Sequence, residues 1–205
     1  MSLNYHISTY VSIKKNTIFL NGKKWFSVEP EISFSEFSKS AYKHLEMEYP
    51  KFYKMDNLSK LGLLAAETLF KHQNFTPENE DIALVLSNKH SSLETDLKHQ
   101  ESIASPEAYF PSPAVFVYTL ANICLGEISI KYKLQTENAF FVFEKMNAEF
   151  LSTYVNQLIY SGKAKKALCG WVDFYDGNYE TFIYLAEKVG EFEHNTETIE
   201  KLYIQ

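Results

Sequence analysis

Residues 136–172 read TENAFFVFEKMNAEFLSTYVNQLIYSGKAKKALCGWV. Residues 139–143 form an unbroken apolar run of strand length. From Met146 the pattern changes to helical spacing, with Met146, Phe150, Leu151, Tyr154 and Leu158 on one side, which predicts a helix over 146–161. Gly162 can end that helix in the left-handed conformation. After Lys163, Lys165 and Lys166 the run ALCGWVDF returns to strand composition. Two apolar strands joined through a helix describe a parallel crossover, so residues 139–143 and 167–172 are expected in one sheet.

Working outward, DIALVLS (81–87) is nearly free of polar residues and reads as a strand buried on both faces. Residues 5–13 read as an opening strand, with an insertion turning at Asn21-Gly22, and residues 180–188 read as the last strand. Phe34, Phe37, Ala41 and Leu45 give a short helix ended by Pro50. Asn57 is the expected cap of the next helix, whose apolar face is Leu61, Leu64, Ala65 and Leu69, with Lys60, Glu67 and Lys71 elsewhere around it. Residues 91–104 are helical or loop-like, and Ser112-Pro113 opens a long helix to about Lys133. The reading is one α/β domain over 1–190 with a central mixed sheet, followed by an acidic, frayed tail over 191–205.

Composition narrows function. The chain has 205 residues, 45% hydrophobic and 22% charged, normal for a globular domain; 16 Phe and 14 Tyr are an aromatic surplus suited to a bulky core or a covered surface. Net charge is -6, unevenly spread: residues 1–66 hold nine lysines against six acids, the rest eleven against twenty. There is no arginine, the residue whose planar fork serves base and phosphate recognition, so no nucleic-acid partner is expected. Cys124 and Cys169 lie in apolar runs and read as reduced core residues. The N-terminus lacks the apolar segment of a signal peptide, and Glu127 and Lys131 interrupt the longest apolar stretch, so no membrane span and a cytoplasmic location are expected. Without secretion the glycosylation patterns at Asn57 and Asn74 carry little meaning.

No cluster of His, Cys and acids has ligand spacing, and neither metal nor other cofactor is expected. Ser161-Gly162-Lys163 lacks the preceding glycines of a phosphate loop. Cys169 lies inside a strand with no neighbouring histidine. Asp173 and Asp176 flank a Gly177 turn and read as solvated loop acids. Phe140, Phe141, Phe143, Met146 and Phe150 line an apolar pocket or simply fill a core.

In order and spelling, residues 49–172 resemble the N-terminal half of a β-ketoacyl-[acyl carrier protein] synthase, a thiolase-fold condensing enzyme. The resemblance is carried by Met55-Asp56 and Leu63-Leu64-Ala65-Ala66-Glu67, the strand 81–87, the helix 112–133, and Ser161-Gly162 followed by Ala167-Leu168-Cys169-Gly170-Trp171-Val172. It implies a thiolase-like half-fold. Counted back from Ser161-Gly162, the family's nucleophile elbow falls on Val142 to Ala148, its cysteine at or beside Lys145. Here Glu144, Lys145 and Met146 stand instead, and no Cys or Ser occurs between Lys133 and Phe150. The second half, which supplies two catalytic histidines, is absent from this sequence; the histidines present are at 6, 44, 72, 90, 99 and 194.

The resemblance therefore implies a non-catalytic subunit in acyl-carrier-dependent assembly of a fatty-acid-like, polyene or polyketide product, in a chain-length-factor-like role. Its partner would be a second copy or a complete ketosynthase, met through the strand Ala139, Phe140, Phe141, Val142 and Phe143. Lys163, Lys165 and Lys166 are the candidate contact for an acyl carrier protein. An enzyme using other residues remains open, an acyl-thioester hydrolase or transferase, with Lys145 as an amine nucleophile if its pKa were strongly depressed; so does a scaffold with no acyl ligand.

Overall fold

The computed structural model describes residues 4–73, 80–106 and 109–205. The glycosylation pattern at Asn74-Phe75-Thr76 lies outside them. The strands are β1 (His6–Lys14), β2 (Thr17–Leu20), β3 (Lys23–Ser27), β4 (Ile82–Asn88), β5 (Asn138–Val142), β6 (Lys166–Tyr175), β7 (Asn178–Glu187) and β8 (Phe192–Glu193). The helices are α1 (Phe34–His44), a 3-10 turn η1 (Pro50–Lys54), α2 (Asn57–His72), α3 (Leu93–Ile103), α4 (Pro113–Val117), α5 (Ile123–Tyr132), α6 (Ala148–Tyr160) and α7 (Thr196–Tyr203).

All eight strands share one mixed sheet, ordered β3-β2-β1-β7-β6-β4-β5, with β8 beside β1. The three buried runs read from sequence lie together: β4 is the centre of a parallel trio, paired with β6 through Leu84–Leu168 and with β5 through Leu86–Phe140. The remaining pairings are antiparallel: β1–β2, β2–β3 and β6–β7 arise from tight hairpins, whereas β1 meets β7 and β8 from the far end of the chain. Lys15-Asn16, Asn21-Gly22 and Asp176-Gly177 each put two successive residues at positive φ, the turn whose twist matches that of the strands. Asn16 tolerates this because its buried amide donates to the carbonyls of Glu29, Pro30 and Ile32.

Apolar residues alternate across the sheet and build two cores. One face carries Leu84, Leu168, Val172 and Ile183 under α1, α2 and α5; the other carries Val85, Cys169, Phe182 and Tyr184 under α6 and α7. Helix α2 is buried all round from Leu61 to Phe70, so Glu67, which lies off the predicted apolar face, is buried as well. It is 5% exposed and accepts from Tyr132 Oη, with Lys131 Nζ at 3.1 Å. The cap of α2 is Asp56 rather than Asn57: its carboxylate accepts from Ser59 N at 2.9 Å.

Two further expectations are corrected. The long helix over 112–133 is broken into α4 and α5. Tyr118 leaves helical geometry and donates to the buried Glu127 carboxylate at 2.8 Å, while Ser92 Oγ donates to Thr119 O at 2.7 Å. The break is thus held by tertiary hydrogen bonds. Residues beyond Gly190 do not fray: β8 pairs with β1, Asn195 caps α7, and Ile199 and Leu202 enter the second core. This segment, with α6, covers the second face of the sheet. Among the described residues no helix is long and apolar enough to cross a membrane.

Candidate functional site

In an open α/β sheet the carboxyl ends of the parallel strands, where neighbouring crossovers diverge, are the usual place for chemistry. Here that place is the junction after β5. Phe143 N donates to Asn88 O at 2.9 Å, tying the junction to the end of β4. Asn147 caps α6 by accepting from Phe150 N at 2.9 Å, so the helix starts at Ala148 rather than Met146. None of residues 143–147 has positive φ; the turn is relaxed and holds no backbone strain. Glu144 and Lys145 are exposed, and Met146 packs against the second core. The strand-to-helix architecture is present, and the side chains at it offer no thiol or hydroxyl.

Neither cysteine substitutes. Both are fully buried, Cys124 beneath α2 with Sγ 3.8 Å from Leu58 O, and Cys169 inside β6 with Sγ 3.8 Å from Tyr184 O. Burial pushes both thiols far above the ordinary range, so neither supplies a thiolate near neutral pH. Among the described residues no group of three His, Cys or acids is placed to hold a metal.

Beside the junction the structure brings together a pair that sequence reasoning missed. Asp173 is not a solvated loop acid. It lies in β6, accepts the backbone N–H of Lys89 and His90 on Oδ1 at 3.1 and 3.0 Å, and places Oδ2 2.7 Å from His90 Nδ1. The imidazole stacks on Tyr175 with centroids 4.9 Å apart. The two residues are 83 positions apart, and only the parallel pairing of β4 with β6 makes them neighbours.

Strand β5 is a sheet edge. Phe140 turns to the first core and Phe141 to the second, Ala139 and Phe143 are half-buried, and Val142 is 54% exposed. Phe141, Phe143, Phe150 and Tyr154 form an aromatic cluster along this edge, with Phe141–Phe150 centroids at 4.6 Å. A row of unpaired backbone groups flanked by aromatic rings is a template for pairing with another chain.

The lysine turn is less available than its sequence implies. Lys163 pairs with Glu137 at 3.0 Å and Lys166 with Glu80 and Glu187 at 3.0 and 3.6 Å, leaving Lys165 exposed.

No protein-family model matches the chain, and no curated protein matches it. Solved structures do. One is the ishigamide ketosynthase/chain length factor, 16% identical with a TM-score of 0.66, covering 90% of this chain and 62% of that one. Another is the ketosynthase ApeO in complex with its chain length factor ApeC from Xenorhabdus doucetiae, 13% identical, TM-score 0.63, covering 98% and 91%. A third is AntDE:AntF, a type II polyketide synthase acyl-carrier protein in complex with its ketosynthase bound to the hexaketide, 12% identical, TM-score 0.60, covering 91% and 63%. The chain thus spans about six-tenths of the length of the first and third of these chains. At such identities the likeness is one of fold, and that fold is the thiolase-like α/β architecture of the ketosynthases.

Proposed function

We propose that the protein is a non-catalytic ketosynthase-like subunit, related to the N-terminal half of that fold, that assists carrier-dependent acyl-chain assembly in a chain-length-factor-like role. One observation carries the reading: in a ketosynthase fold, the junction that would present the nucleophile presents Glu144, Lys145 and Met146, while both thiols lie buried elsewhere. A match covering 91% of a chain in a ketosynthase–chain length factor complex supports a subunit of this length acting beside a complete enzyme. The contact is the β5 edge with its aromatic cluster, paired with a ketosynthase or with a second copy.

Two measurements test this. Intact mass after incubation with acyl-carrier or acyl-coenzyme thioesters is expected to show no adduct; an adduct mapped within 142–148 overturns the non-catalytic reading. Co-expression with a complete ketosynthase is expected to yield a complex on sedimentation. Phe141→Asp is expected to weaken that complex roughly tenfold or more, because a carboxylate without a partner is costly to bury. The exposed α7 change Glu200→Lys should leave it intact. Phe141 is only half-buried in the monomer, so the variant should keep its helical circular dichroism. Loss of that signal would place Phe141 in the core, and a wild-type protein that neither self-associates nor binds a ketosynthase would end the reading.

The His90–Asp173 pair favours a second reading, an acyl-thioester hydrolase. An imidazole oriented through Nδ1 by a carboxylate is the arrangement of a general base. Thioester turnover abolished by His90→Gln, with the fold retained, would select it.

A further inference from the structure

The β2–β3 hairpin lies at the opposite edge of the sheet from β5 and precedes residues 49–172, which carry the ketosynthase resemblance. One side of β1 is taken by β7 along its whole length. Its other side is shared: β2 pairs with residues 11–14, and β8 with His6 and Ile7. Between those two strand ends the sheet is notched, and a cavity of about 540 Å³ opens there. Small-molecule sites run to about 300–1,000 Å³, so the notch has room for a ligand of that kind.

Tyr10 and Phe192 give the cavity an apolar floor, their rings edge to face at 6.2 Å. One wall is Lys23, Lys24 and Trp25. A regular strand turns only alternate residues to one side. Three in succession line this cavity because the ladder slips: Ile18 pairs with Phe26 and Phe19 with Lys24, and Trp25 is passed over as a bulge. The indole is held edge-on against His44 at 4.7 Å, and His44 in turn stacks on Phe26 at 4.5 Å. Asn21 adds a fixed donor. Its Oδ1 accepts from Tyr10 N at 2.9 Å and from Thr9 Oγ1 at 3.0 Å, so its amide NH2 is the group left for the cavity. His72, at the end of α2, contributes a ring nitrogen.

Two lysines and one carboxylate, Glu191, meet here, and none of the three is in a salt bridge among the described residues. Lysines and a bulge on an edge strand also discourage pairing with another chain. That role accounts for neither the aromatic floor nor the clamped amide. Two lysines less one glutamate leave a single net positive charge, which matches a monoanion; a phosphate group, at about -1.5 to -2, would overshoot it.

We infer that the notch binds a small aryl carboxylate, with its ring against Trp25 over Tyr10 and Phe192 and its carboxylate on Lys23, Lys24 and the Asn21 amide. The site is separate from the β5 edge, and the inference does not rest on the function proposed above.

The test is an NMR titration of the whole protein with 2-naphthoate, read on the indole N–H signals. There are two tryptophans, Trp25 at 39% exposure and Trp171 at 3%. The Trp25 signal, assigned by its loss in Trp25→Phe, should shift and saturate while the Trp171 signal stays in place. 2-Naphthamide, the same ring without the charge, should bind roughly tenfold more weakly. Lys23→Gln/Lys24→Gln should lower naphthoate affinity about tenfold or more with circular dichroism unchanged, since both side chains are exposed. Lys165→Gln, an exposed lysine elsewhere, should stay within about twofold of wild type. A Trp25 signal that does not saturate at millimolar naphthoate would overturn the site, as would equal binding of acid and amide or equal losses from Lys165→Gln and the Lys23/Lys24 pair. Adenosine monophosphate displacing naphthoate at roughly tenfold lower concentration would overturn the carboxylate assignment in favour of a phosphate.

Discussion

Gly170→Ala should leave little folded protein. Gly170 lies in the middle of β6 at φ +146, and a Cβ there would stand 2.1 Å from Phe182 O and 2.9 Å from Ile183 Cα. Both are backbone atoms of β7, so no side chain can swing away to make room. The strand on its other side is fixed as well, because Ser87 Oγ donates to Gly170 O at 3.0 Å. Relief requires β6 and β7 to separate, and those strands form the middle of the sheet. The expected loss is about 4 kcal/mol or more, against the roughly 5–15 kcal/mol that holds a domain of this kind. Gly177→Ala is the control: φ is +73 in a hairpin turn with open space around it, and the cost should be about 1 kcal/mol. Urea denaturation measures both, and a Gly170→Ala midpoint close to that of Gly177→Ala would contradict the close approach of β6 to β7.

Acid should unfasten the C-terminal segment through one histidine. His194 precedes α7 and is 4% exposed. Its Nδ1–H donates to Asn156 Oδ1 on α6 at 2.7 Å, and Nε2 accepts from Tyr184 Oη on β7 at 3.2 Å. Burial pushes its pKa down to about 4. In the unfolded chain the group titrates near 6.5, so the unfolded state binds the extra proton first. The stabilisation is therefore complete above about pH 6.5 and declines as pH falls toward about 4, below which both states are protonated. The total is about 3 kcal/mol, with about 2 kcal/mol gone between pH 7 and 5. His194→Gln should flatten that part of the urea-midpoint profile. A wild-type profile that stays level from pH 7 to 5 would show that His194 is reached by solvent.

Both residues bear on how much of the molecule can be read before it is folded. Strands β4 and β6 were legible because they are buried on two faces and carry almost no polar residue. The turns at Asn21-Gly22 and Gly177 were legible because left-handed backbone selects those residue types. The break after Val117 was not, since residues 118–122 contain neither Gly nor Pro and the stops come from Glu127 and Ser92 elsewhere in the chain. The C-terminal segment was hidden by its glutamates, although Asn195 followed by Ile199 and Leu202 is a capped amphipathic pattern. At the site, the missing thiol was evident from residue identity alone. His90–Asp173 was not, because it joins side chains 83 positions apart in the chain.

The position of β1 sets a timetable. Besides the short β2 and β8 it pairs with the ten-residue β7, and Ser8 Oγ reaches Leu185 O across 177 residues of chain. A ribosome adding about 5–20 residues each second therefore holds the first hairpins for many seconds before the strand that completes them exists. During that interval β1 is an open edge lined by Ile7, Val11 and Ile13, which are fully buried afterwards. Folding must then close a loop of nearly the whole chain, a slow step for a sheet of such distant pairings. Newly made protein should consequently depend on chaperones that shield apolar edges, and refolding from denaturant should be slow and prone to aggregation at high concentration even though the finished sheet is well buried.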